Sequence, residues 1–245
     1  MSDYRILPAG DAALVVDFGD RIERALNCQV LALAQAIAND HVEGVIETVP
    51  TFRSLMISYQ PDLLPYAQLV RRVGDWMVEA ANVAYPSRLW RLPVCYDESV
   101  APDLIEVAER LGLSPAEIAA RHTAITHHVY MLGFLPGQPY LGDLPAELAL
   151  PRRVSPRGKV AAGSVGMAMT MTCVFPRETP CGLNIIGRTP ARLWDPSRGE
   201  GCQIMPGDRV IFEPIPLATF EALTKPAAEG GLQPRFESAE GGLFT

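Results

Sequence analysis

Between Gly133 and Thr189 glycines and prolines alternate with single large or polar side chains, and this stretch constrains the fold more than any other. It opens with GFLPGQPYLGDLP (133–145), runs through PRRVSPRGKVAAGSVG (151–166) and closes with FPRETPCGLNIIGRTP (175–190). Glycine permits positive φ or close backbone approach, while proline fixes φ and removes a donor. Chain that needs both in quick succession has a specified shape. Shaped loops on a rigid scaffold are where binding and catalysis concentrate, although ordinary barrel turns draw on the same residues.

From His127 onward helical periodicity disappears, and short apolar runs separated by Gly and Pro predict an all-β barrel or sandwich. GDRVIFEPI (207–215) is the last clear strand, and residues 226–245 read as a polar, mobile tail. Upstream the pattern differs. Residues 4–7 and 12–18 predict strands, and Ile22, Leu26, Val30, Leu33 and Ile37 mark one face of a helix. Residues 45–49 and 54–59 predict a hairpin, and a second helix follows with Tyr66, Leu69, Val73, Trp76 and Ala80 inward. The order ββαββα predicts a small α+β domain over residues 1–85, with helices on one face of an antiparallel sheet. The boundary falls at Ala84–Ser87, and a second domain covers 86–225. That domain begins with a strand, 88–96, in which Trp90, Leu92 and Val94 share a face. Two short helices come next, the second opened by a capping box at Ser114 to Glu117 with Pro115 at the first helical position.

Several chemistries are excluded. A net charge of −7 does not provide the basic face that nucleic acid requires. No apolar run reaches a membrane span, and no secretory leader opens the chain, so a cytoplasmic location is expected. The five cysteines, Cys28, Cys95, Cys173, Cys181 and Cys202, are odd in number and form no C-x-x-C. They read as buried thiols, with Cys173 or Cys181 as a nucleophile the lesser alternative. Lys159 and Lys225 are the only lysines and neither precedes Ser or Thr, so there is no P-loop. Any nucleotide site is unconventional or lies on a partner. AGSVG around Ser164 approaches a nucleophile elbow, but Ala162 replaces the first glycine and no helix follows, so Ser164 reads as a polar wall residue. His127 and His128 point to opposite faces of a strand and do not converge on a metal. Arg152, Arg153, Arg157 and Arg188 all lie in the organising stretch of an acidic chain. A guanidinium fork suits carboxylate or phosphate, so they predict an anion pocket, the alternatives being surface solubility or internal ion pairs.

These motifs resemble the allophanate hydrolase subunit 1 family, which includes the B subunits of 5-oxoprolinase and a sporulation sensor-kinase inhibitor. GDAALVVDFGD (10–20), GVIETVPTFRSLMISY (44–59), PVCYDESVAPDL (93–104), LWDP (193–196) and PGDRVIFEP (206–214) carry the likeness along nearly the whole chain. The resemblance implies a small N-terminal α+β domain followed by a cyclophilin-like β-barrel. It implies an enzyme subunit that opens a lactam, 5-oxo-L-proline to glutamate, or a related amide or ureido compound. ATP with Mg would be used, at this chain or at a partner, with no tightly bound cofactor. The implied partners are a homologue of the 5-oxoprolinase C subunit and in many cases the A subunit as well. The alternative within the family is a regulator that inhibits a histidine kinase, and prolyl isomerase by fold analogy is a weaker third reading. The substrate-binding residues expected are Phe134, Pro136, Gly137, Gln138, Tyr140, Arg157, Ser164, Met171, Thr172 and Arg188. No residue is assigned as base, nucleophile or metal ligand.

This chain departs from the family pattern at specific positions. Gln138 stands where the pattern has phenylalanine, Met171 where it has glutamine, Cys173 where it has glycine, and Leu183 where it has tryptophan. Replacing an amide by a thioether removes two donors and an acceptor, so a changed substrate is expected.

Overall fold

The computed structural model describes residues 4–81, 85, 87–197, 201–228 and 235–237. They divide into two units, drawn from Met1–Ser87 and from Arg88–Ala239. Residues 84 and 86, within the expected boundary, lie outside the described residues.

In the first unit, strands β1 (Arg5–Pro8), β2 (Ala13–Asp17), β3 (Val45–Pro50) and β4 (Ser54–Tyr59) form an antiparallel sheet in the order β1-β2-β4-β3. Alternate residues of β2 and β4, Leu14, Val16, Leu55 and Ile57, are fully buried, as the two-residue period of a strand dictates. They share one core with Val30, Leu33 and Ile37 of α1 (Arg24–Asp40) and Leu69, Val73 and Trp76 of α2 (Tyr66–Ala80). Two residues assigned to inner helical faces lie elsewhere. Ile22 precedes α1 and is 49% exposed, and Tyr66 opens α2 at its rim, 40% exposed.

The second unit opens with β5 (Leu89–Val94), where Trp90, Leu92 and Val94 are buried. Then come α3 (Leu104–Leu111) and α4 (Pro115–Thr123). Helix α4 carries both bonds of the capping box, Glu117 N–H to the Ser114 hydroxyl and Ser114 N–H to the Glu117 carboxylate. Strands β6 (His127–Leu132), β7 (Pro139–Leu141), β8 (Arg157–Val160), β9 (Ser164–Ala168), β10 (Met171–Val174), β11 (Thr179–Cys181), β12 (Asn184–Arg188) and β13 (Arg209–Pro214) follow. The unit ends in helix α5 (Leu217–Ala228) and strand β14 (Arg235–Glu237). Part of the expected tail is thus regular structure. Residues 226–228 continue α5 and β14 pairs with β5; 229–234 and 238–245 lie outside the described residues.

One sheet runs β12-β9-β10-β7-β6-β13-β5-β14. Its first seven strands curl into a nearly closed barrel, because Cys95, just beyond β5, exchanges both backbone bonds with Arg188 at the end of β12 (2.8 and 2.9 Å). Among the described residues only β5 and β13 pair in parallel. The barrel interior is filled by Leu92, Val94, Val129, Leu141, Val165, Met167, Val174, Ile186 and Phe212, in one core with Leu104 and Val107 of α3 and Ile118 of α4. Strands β8 and β11 form a separate two-stranded ribbon. A second, smaller core of Val160, Cys173, Phe175, Cys181 and Ile185 joins that ribbon to β10 and β12. Along β10 Val174 belongs to the barrel core and Cys173 to the ribbon core, so the ribbon covers the outer face of the sheet. Among the described residues no helix is long and apolar enough to cross a membrane.

Candidate functional site

The ribbon is held down by one carboxylate. Asp103 precedes the first turn of α3 but makes no side-chain cap bond there. Its backbone N–H reaches the Ile185 carbonyl (3.0 Å), and its carboxylate accepts the Ile185 N–H (2.7 Å). The same carboxylate takes Arg153 Nη1 at 2.7 Å and Arg157 Nε at 3.3 Å, with Arg157 Nη2 closing a second contact. Asp103 has no exposed surface. A buried carboxylate needs such partners, since an unpaired one would cost several kcal/mol, roughly. The Asp103 hydrogen bond raises the Arg157 pKa above its ordinary value, against a smaller opposing effect of burial. Arg157, expected to meet a ligand's anion, is therefore spent on an internal ion pair, as is Arg153, which also reaches Glu106 at 3.0 Å.

Arg188 is similarly occupied. Its Nε donates to the Ala162 carbonyl at 2.9 Å, its guanidinium lies 5.6 Å from the Phe220 ring centroid, and burial lowers its pKa. Arg152 differs from the other three in having neither an ion pair nor a side-chain hydrogen bond among the described residues. It is exposed, and its charge acts on Tyr140, Cys173 and Cys181.

Those groups gather where the ribbon meets the outer face of β7 and β10, with Tyr140 and Leu183 packed against the small core of Cys173 and Cys181. Tyr140 stands opposite Cys173 in the β7–β10 register. Cys173 and Cys181 interact with each other, and the Gln138 carboxamide hydrogen-bonds toward Cys173. Leu183 donates its backbone N–H to the Cys181 sulfur at 3.2 Å. Burial is the main reason the Cys173 thiol is pushed up to about 12 and Cys181 is also raised, so neither is an activated nucleophile. Burial likewise raises the Tyr140 phenol. Gln138 is 2% exposed, and its carboxamide oxygen has no hydrogen-bond partner among the described residues.

The structure brings together Gln138 and Tyr140 of the expected site residues, with Arg157 near Cys181 at the ribbon end. The others separate. Thr172 faces the opposite side of β10 with no exposed surface, its hydroxyl 3.1 Å from His122 Nε2. Ser164 is 3% exposed and pairs with Arg188 at the β9–β12 edge. Met171 opens β10, opposite Ala168 and half-buried. Phe134 is 67% exposed at φ 68°, and Pro136 is exposed beside it. Gly137, at φ 73°, packs so closely on Trp194 that a Cβ would lie 2.6 Å from the Trp194 Cβ.

Sequence reasoning passed over Asp103, His122 and Tyr96. His122 is fully buried on α4, with its Nδ1 2.7 Å from the Tyr96 hydroxyl and its ring stacked on Phe212 at 4.7 Å. Burial, helped by His127, holds its pKa well below the ordinary value, so it is a neutral core residue. His127 and His128 are likewise both buried. A cavity of about 330 Å³ in the first unit borders Asp17, Thr51 and Arg53. Its charges are already matched: Asp17 pairs Arg5 at 2.6 Å and Arg53 at 2.9 Å. Burial opposes ionisation of Asp17, but the Arg5 and Gly19 hydrogen bonds with the two arginine charges leave its pKa lowered.

Comparison with known proteins places this arrangement. The profile of the carboxyltransferase domain, subdomain C and D, matches residues 4–204. The chain is 38% identical over 220 residues to a Bacillus subtilis (strain 168) protein named as the B subunit of 5-oxoprolinase, covering 85% of this chain and 92% of that one. It is 36% identical over 215 residues to an Escherichia coli O157:H7 protein of the same name, covering 87% and 97%. The crystal structure of TTHA0988 superposes at a TM-score of 0.75 and 33% identity over 83% of this chain, which spans 40% of that protein's length. The chain belongs to the carboxyltransferase-domain family, subdomains C and D, the family of these 5-oxoprolinase B subunits.

Proposed function

We propose that this chain is the B subunit of an ATP-dependent amidohydrolase of the 5-oxoprolinase type, with a lactam or related amide or ureido acid bound at the cluster of Tyr140, Gln138 and Arg152. The observation that carries the reading is the match, over nearly their whole lengths, to two relatives named as 5-oxoprolinase B subunits. The cluster supports it, offering an acceptor, a phenol and a cation with no ion pair among the described residues, the groups that recognise a small polar acid. It offers no activated nucleophile, since both thiols are raised. The reaction on this reading is completed in a complex with partners of the 5-oxoprolinase C-subunit and A-subunit types. Within it the second unit acts as a cyclophilin-like barrel domain, 86–225, and residues 1–85 as a separate α+β domain.

ATP with Mg does not fit the described residues. There is no P-loop, and among the described residues no group of three His, Cys, Asp or Glu side chains is arranged to hold an ion. On this reading the nucleotide is bound by a partner or at an unconventional site. The hydrolase reading is preferred to docking on a sensor kinase because the relatives matched over nearly their whole lengths are named as 5-oxoprolinase B subunits. The test is ATP turnover by the chain co-purified with its partners. Stimulation by 5-oxo-L-proline or another small amide is expected; turnover indifferent to every lactam and urea tried would sink the proposal.

A further inference from the structure

An acceptor buried without a donor is expensive, and native proteins retain few of them. The Gln138 carboxamide oxygen is one among the described residues, in a side chain belonging to a residue 2% exposed. The residue sits on the loop between β6 and β7, whose backbone is pinned by the bonds Gly133 N–H to Gln138 O (3.1 Å) and Gln138 N–H to Leu135 O (3.1 Å). The carboxamide lies against Cys173, so one end of it is engaged and the oxygen is left over. A second, independent observation concerns the same cluster. Arg152 brings a positive charge to Tyr140, Cys173 and Cys181, yet has no ion pair among the described residues. The cluster thus lacks two things, a donor for an oxygen and an anion for a guanidinium. Tyr140 and Leu183 stay half-buried at its edge, so solvent lies one side chain away.

We propose that Gln138 is the specificity-determining residue of this cluster: its carboxamide oxygen receives the N–H of a cyclic amide or ureido acid whose carboxylate meets Arg152. This rests on the amidohydrolase reading and narrows it, because an ester or lactone of the same shape presents an oxygen where Gln138 needs a donor. Two facing acceptors repel, and a site built around a hydrogen bond rejects the analogue that lacks it.

The experiment measures Kd by calorimetry on the full chain, without nucleotide. The ligands are 5-oxo-L-proline, N-carbamoylglycine, and the lactone in which ring oxygen replaces the N–H of 5-oxo-L-proline. Wild type is expected to bind at least one N–H acid roughly 10- to 100-fold more tightly than the lactone, the range for one buried hydrogen bond. Gln138→Met should bind that acid and the lactone alike, and Gln138→Glu, which keeps an acceptor, should keep the preference. Melting curves confirm that both variants are folded. Equal affinity for N–H acid and lactone in wild type overturns the inference, as does discrimination that survives in Gln138→Met, or no binding at all. ATP turnover by the co-purified complex separates the two levels. Amide-stimulated turnover with no role for Gln138 leaves the amidohydrolase reading standing, whereas turnover blind to every amide removes that reading first.

Discussion

Asp103 and Arg153 form an ion pair of 2.7 Å in which the carboxylate has no exposed surface while the guanidinium keeps 20% of its own. Together with Arg157, this pair fastens the 152–157 segment and the β8–β11 ribbon to Ile185 on β12. Removing Asp103 takes the buried carboxylate from both guanidinium groups and leaves Arg153 only the half-exposed Glu106. Asp103→Ala is expected to cost about 3–5 kcal/mol, the range for breaking a buried pair from one side. Arg157→Ala should cost less, because its side chain is 34% exposed and solvent screens part of the loss. Urea denaturation of the three proteins measures the order; an Asp103 variant as stable as wild type would show that the ribbon is held by its apolar core alone.

Arg152 makes the opposite prediction. With no ion pair to lose among the described residues, Arg152→Ala should leave the melting temperature unchanged. Affinity for a small carboxylic acid should fall roughly 10-fold or more, as expected when a charge-assisted hydrogen bond is lost. A fall in stability without a change in affinity would reassign Arg152 to the scaffold.

The thiols set an alkaline limit. Cys173 is pushed up to about 12, and Cys181 and Cys95 are also raised, burial being the largest cause in each. A folded-state pKa above the unfolded value of 9.0 contributes stability that is complete below pH 9 and is lost as pH climbs toward 12. Melting temperature should therefore decline across that window, and Cys173→Ala should flatten the decline. At pH 8 a disulfide reagent should modify half-buried Cys28 and Cys202 well before Cys173 in native protein. Equal rates for all five would mean that the cluster opens freely.

His122 sets the acid limit. Its pKa is held well below 6.5, so the unfolded chain takes up a proton near pH 6.5 that the folded chain refuses. Stability present above that value is lost as pH falls below it. Denaturation midpoints from pH 7.5 to 5 should drop for wild type and drop less for His122→Gln, which also retains a polar contact for Tyr96. A wild-type midpoint that holds steady to pH 5 would contradict a buried neutral imidazole.

The residues that could be read from the chain are those whose partners are local. Ser114 and Glu117 are three positions apart, and both bonds of their capping box are present. Trp90, Leu92 and Val94 follow the strand period and are buried together. Asp103 shows the limit: it lies 50 and 54 positions from the arginines it binds, with no local signal to link them. For the same reason the four arginines of the expected anion pocket look alike in the sequence and Arg157 rather than Arg152 is the expected site residue, although only the fold decides which guanidinium is already neutralised. Thr172 and Cys173 were adjacent candidates, yet strand alternation places them on opposite faces of the sheet. Helix α5 was missed because its short apolar run lies between prolines at 214 and 216 and the glycines at 230 and 231.

The parallel pairing of β5 with β13 carries a timetable. Leu89 is matched to Arg209, 120 residues later, and β5 also supplies the Cys95 contact that brings the barrel round to β12. During synthesis at ~5–20 residues per second, β5 would leave the ribosome roughly 6–24 s before its neighbour exists. For that interval Trp90, Leu92 and Val94 have no barrel to enter. The first strand of the barrel must wait for nearly the last, which makes this unit a client for whatever shields apolar strands on nascent chains.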